Sequence, residues 1–97
     1  MATILIVEDE PQISSLVQSF IQEQGHKTLS AATADEALTI LTGPEAVDAL
    51  FVDIILKGDM QAGIEFAKRA VELKPDLKVL YSTGLTVTEL FWSISQY

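Results

Sequence analysis

Three short, wholly apolar runs constrain the fold of this chain more than any other feature: Ile4-Leu5-Ile6-Val7, Ala49-Leu50-Phe51-Val52 and Val79-Leu80-Tyr81. None of them alternates apolar with polar residues. A strand wet on one face would alternate, whereas a strand covered on both faces, as in a parallel sheet, need not. The segments between the runs have helical spacing instead. Ile13, Leu16, Val17, Phe20 and Ile21 mark one helix, opened by Pro11 at a first-turn position and stopped by Gly25. Thr33-Ala34-Asp35-Glu36 is a capping box that starts a second helix, with Ala37, Leu38 and Leu41 inward and Gly43-Pro44 at its end. Ile64, Ala67, Ala70 and Val71 line a third helix, and Thr86-Val87-Thr88-Glu89 opens a fourth ahead of Leu90, Phe91 and Ile94. Residues 27–31 supply a further short strand. The order β-α-β-α-β-α-β-α predicts an α/β fold, a doubly wound parallel sheet with helices on both faces. No repeat or linker interrupts it, so a single domain over residues 1–97 is expected.

Composition narrows the function. Apolar residues make up 48% of the 97, enough for a packed core. Fourteen acidic residues against six basic give a net charge of −8, which opposes direct nucleic-acid binding and contact with anionic lipid. A divalent cation or a basic patch on a protein partner suits that charge better. With no cysteine and only His26, thiolate and multi-histidine metal sites are excluded, as is thiol catalysis. His26 follows Gly25 in a polar turn and reads as a solvated side chain. No apolar run is long enough to span a bilayer, and the N-terminus lacks the basic start of a signal peptide, so a cytoplasmic location without membrane contact is expected.

The chemistry is expected at the strand tips. In open α/β sheets, ligands bind beyond the C-terminal ends of the strands. The first strand ends in Glu8-Asp9-Glu10, the third in Asp53 and the fourth in Ser82-Thr83. A strand order of 2-1-3-4 would make those three strands neighbours and gather Glu8, Asp9, Asp53 and Thr83. Glu8-Asp9-Glu10 alone could be no more than the acidic first turn of a helix. Crowded carboxylates at neighbouring tips, however, need a cation between them, and an all-oxygen donor set selects a hard ion such as Mg²⁺. A carboxylate beside such an ion can attack a phosphoryl group and form an aspartyl phosphate.

Val7-Glu8-Asp9-Glu10, the strand ending in Val52-Asp53, and Tyr81-Ser82-Thr83-Gly84 resemble, in order and spacing, the three signatures of response regulator receiver domains. The resemblance implies a flavodoxin-like fold in which Asp53 accepts phosphate from a sensor histidine kinase or phosphotransfer protein. It further implies that Glu8, Asp9, Asp53 and the backbone carbonyl of Ile55 hold Mg²⁺, and that Thr83 is the switch hydroxyl. Such a domain is no metabolic enzyme; it catalyses at most its own phosphorylation and dephosphorylation.

Two departures from the family pattern stand out. Leu56-Lys57-Gly58-Asp59-Met60 lacks the proline usual after the phosphoacceptor. The family's fifth-strand lysine has no counterpart either, since the 14 residues after Thr83 contain no lysine. The expectation is a receiver cut short of its fifth strand and helix, with the edge of its fourth strand open. Such an edge, together with Phe91, Trp92, Ile94 and Tyr97, would favour self-association. An alternative is a degenerate receiver that serves as an interaction module with impaired switching. An aspartate-nucleophile phosphatase is disfavoured, because the position two residues after Asp53, where a second aspartate would stand, is Ile55.

Overall fold

The computed structural model describes residues 1–53 and 60–82. Their elements are β1 (Thr3–Val7), α1 (Pro11–Glu23), β2 (Lys27–Ala31), α2 (Ala34–Leu41), β3 (Ala49–Asp53), α3 (Met60–Leu73) and β4 (Lys78–Ser82). The four strands are parallel in the order β2-β1-β3-β4, as the sequence predicts. The expected fourth helix and the apolar tail at residues 90–97 fall outside the described residues, and so does the expectation of an open fourth-strand edge.

β1 and β3 lie inside the sheet, and alternate residues feed two separate cores. Leu5, Val7, Leu50 and Val52 pack on one side with Ala37 and Leu41 of α2 and Phe66, Ala67 and Ala70 of α3. Ile4, Ile6, Ala49 and Phe51 pack on the other with Val17 and Ile21 of α1. Burial on both faces explains why residues 4–7 and 49–52 include no polar side chain.

Two helices face the sheet differently from the expectation. In α1 the buried positions are Ser14, Val17 and Ile21, while Ile13 and Leu16 are 46% and 40% exposed. The apolar residues of this helix form a stripe wider than the sheet covers. Only its Val17–Ile21 half meets β1 and β3, and Ser14 completes the buried edge because Gln18 Nε2 donates to its hydroxyl at 3.1 Å. In α3, Phe66 fills the core beside Ala67 and Ala70, whereas Val71 is exposed.

The helix ends follow the local chemistry. Gly25 sits at φ 88°, the His26 N–H donates to the Ile21 carbonyl and the Gly25 N–H to that of Gln22, a Schellman ending. His26 is not merely solvated. Half-buried, its Nδ1 accepts the Ala2 N–H at 3.0 Å and ties the end of α1 to the start of β1. The capping box at α2 forms: Thr33 Oγ1 accepts from the Glu36 N–H at 3.1 Å, and Glu36 Oε2 accepts from the Ala32 N–H at 2.8 Å. Among the described residues, no helix is long and apolar enough to cross a membrane.

Candidate functional site at the strand tips

Register places the key positions. The last pair between β1 and β3 is Val7 with Val52, so Glu8 and Asp53 each follow one residue beyond it on adjacent strands. On the other side of β3, Asp53 itself pairs with Ser82 of β4. Three strand tips therefore stand side by side. Thr83 would follow directly after Ser82; it and Ile55 lie outside the described residues.

The β1 tip is held firmly. The Glu8 N–H donates to the Ala31 carbonyl at 3.1 Å, which carries the β1–β2 ladder one residue past Val7. Glu8 is 5% exposed, a costly position for a carboxylate without donors around it. Its Oε1 accepts the N–H of Glu10 at 3.1 Å. Glu10 caps α1 through backbone geometry alone, so Glu8 also sits by the electropositive start of that helix. Asp9 is half-buried and Glu10 is exposed. Of the three consecutive acids, Glu8 is buried, Asp9 is half-buried, and Glu10 caps the start of the helix. Beside them, between α1 and β2, runs a groove of about 260 Å³ lined by Glu8, Asp9, Ser14, Ser15, Gln18 and Ser30.

The donor chemistry suits Mg²⁺. Glu8 and Asp9 offer carboxylate oxygens, and the position neighbouring Glu8 on β3 is a third carboxylate residue, Asp53. No nitrogen or sulfur ligand competes in that set, which matches a small, hard cation. Among the described side chains alone, no group of three acids or histidines could hold a metal.

Sequence reasoning missed the polar residues that link α1 to β2. Besides its bond to Ser14, Gln18 accepts from Thr28 Oγ1 at 3.3 Å, and Thr28 accepts from Gln22 Nε2 at 2.8 Å. The signal present was the spacing of Ser14, Gln18 and Gln22 at four-residue steps along one helix face. Asp48 was missed as well: its carboxylate accepts the Thr3 N–H at the opposite end of the sheet.

Known proteins resemble this arrangement. Residues 4–92 match the response regulator receiver domain family. The nitrogen assimilation regulatory protein NtrX of Azorhizobium caulinodans is 33% identical over 81 residues, covering 84% of this chain and 18% of NtrX. The response regulator receiver protein CpdR of Brucella abortus is 31% identical over 93 residues, covering 93% of this chain and 72% of CpdR. The chain therefore spans less than a fifth of NtrX but most of CpdR. Among solved structures, the response regulator TrrA of Thermotoga maritima, in complex with Mg²⁺ and beryllofluoride, superposes with a TM-score of 0.73 at 31% identity, over 96% of this chain and 81% of TrrA. By sequence match, strand order and the placement of its acidic tip residues, the chain belongs to the receiver domain family of two-component response regulators.

Proposed function

We propose that this chain is a phosphoacceptor signalling domain that takes a phosphoryl group onto Asp53 from a sensor histidine kinase or a phosphotransfer protein. The observation that carries this reading is the β1–β3 register, which sets Asp53 one position beyond Val52 and next to Glu8. A carboxylate oxygen of Asp53 attacks phosphorus in line, the bond from phosphorus to the donor's imidazole nitrogen breaks, and the electron pair stays on that nitrogen. The product is an acyl phosphate on Asp53. Glu8 and Asp9, with Asp53 and the Ile55 carbonyl, would hold Mg²⁺, which supplies neutralisation of the charge spread over the phosphoryl oxygens. Thr83, next after Ser82 on β4, is the candidate hydroxyl for reading out the modification. TrrA, with its Mg²⁺–beryllofluoride complex, supports the assignment by similarity.

In this reading the chain is itself modified and turns over no metabolite. Its charge of −8 favours protein partners over nucleic acid. Incubation with acetyl phosphate and Mg²⁺, followed by intact-mass measurement, should show one added phosphoryl group that is lost in Asp53→Asn. No adduct, or an adduct that persists in Asp53→Asn, refutes the proposal.

A further inference from the structure

Three side-chain hydrogen bonds join α1 to β2, and two backbone N–H groups continue from Ser14 to the acidic tip of β1. Gln22 Nε2 donates to Thr28 Oγ1 (2.8 Å), Thr28 donates to Gln18 Oε1 (3.3 Å), and Gln18 Nε2 donates to Ser14 Oγ (3.1 Å). The Ser14 N–H donates to the Glu10 carbonyl (2.9 Å), and the Glu10 N–H donates to Glu8 Oε1 (3.1 Å). Every donor in the series points toward Glu8. Gln22 is exposed, Thr28 and Gln18 are half-buried and Ser14 is 9% exposed; beyond the exposed Glu10, Glu8 is 5% exposed.

The three side-chain bonds share groups and so polarise one another, while the Ser14 and Glu10 N–H groups are joined to them only through the backbone. The series also crosses from one element to another. Thr28 belongs to β2, whose pairing with β1 extends to Glu8 through the Ala31 carbonyl, while Ser14, Gln18 and Gln22 belong to α1. Gln18 and Thr28 therefore tie the middle of α1 to β2, and Ser14 carries that tie one turn nearer the start of the helix, all well away from Asp53.

We propose that Ser14, Gln18 and Thr28 are positioning residues for the Glu8 carboxylate, holding it in the geometry that binds Mg²⁺. This rests on the phosphoacceptor reading of the site. Direct hydrogen-bond partners of metal ligands contribute ~10–100-fold to affinity; these residues act one or more links further out and should contribute about fivefold. Gln18 is the central link because it uses both ends of its amide, and Gln18→Leu removes both bonds at once.

Isothermal titration of the whole chain with Mg²⁺ alone tests the proposal. Gln18→Leu and Thr28→Val should each weaken Mg²⁺ binding about fivefold. Thr28→Ser, which keeps the hydroxyl, should bind as the wild type does. Combining Gln18→Leu with Thr28→Val should cost little more than either alone, since both cut one series. In metal-free protein, the amide proton of Glu10 should move upfield in Thr28→Val but not in Thr28→Ser, a readout that remains if Gln18→Leu folds poorly. Unchanged affinity in the variants, or equal losses in Thr28→Ser and Thr28→Val, overturns the positioning role and leaves Asp53 as phosphoacceptor intact. A wild type that binds no Mg²⁺ overturns both.

Discussion

The Asp48 carboxylate accepts the backbone N–H of Thr3 at 2.8 Å, joining the start of β3 to the start of β1 across 45 residues of sequence. The backbone of Asp48 reinforces the joint, donating to the Thr3 carbonyl at 2.8 Å and accepting from the Lys78 N–H at 3.3 Å. One residue thus serves three strands at the end of the sheet remote from the acidic tips. Asp48→Ala should cost about 1 kcal/mol, and Asp48→Asn less, because the amide oxygen can still accept. Urea denaturation followed by circular dichroism measures both; equal losses would show that the acceptor is not what matters.

The face that α1 turns to the sheet gives a paired test. Val17 is 1% exposed and Leu16 is 40% exposed, although the two are neighbours and both apolar. Val17→Ala should destabilise by about 2 kcal/mol, while Leu16→Ala should stay within about 0.5 kcal/mol. A larger loss at Leu16 would mean that the helix is rotated from the placement described above.

Gly25 ends α1 at φ 88°, with nothing within 4 Å of the position a Cβ would take. The cost of Gly25→Ala is therefore conformational rather than steric, about 1 kcal/mol. Gly25→Asn should cost less, because asparagine visits the left-handed region more readily. Thermal melting should rank the three proteins glycine, asparagine, alanine.

At the other helix start, Thr33 and Glu36 bond reciprocally around α2. Thr33→Ala should lose about 1 kcal/mol and Thr33→Ser very little. Because α2 packs on the core face remote from α1, neither change should alter Mg²⁺ affinity, which titration of the same variants can check.

Much of this architecture could be read from the sequence, because its signals are local. The apolar runs at residues 4–7 and 49–52 have no polar position to offer solvent, and both strands are buried on two faces. Thr33 with Glu36, and Gly25 after a helical stripe, carry their roles in side-chain chemistry alone. The face of α1 was harder to read. Its apolar stripe is wider than the contact it makes, and whether Ser14 or Ile13 turns inward depends on the sheet it meets. His26 looked solvated because the group it accepts from, the Ala2 N–H, lies 24 residues away. At the site, Glu8, Asp9 and Asp53 could be picked out because acidic residues close wholly apolar strands. The Thr28–Gln18–Ser14 series could not, since its polar residues resemble ordinary surface positions until β2 is laid against α1.

The parallel pairing of β1 with β3 carries a kinetic corollary. Ile4 meets Ala49 only after β2 and two helices have been threaded between them, so that contact is distant in sequence and late to close. Chemistry requiring residues 8, 9 and 53 together is thus out of reach of a nascent or half-collapsed chain. On the phosphoacceptor reading proposed above, reactivity at the rim would then report finished folding.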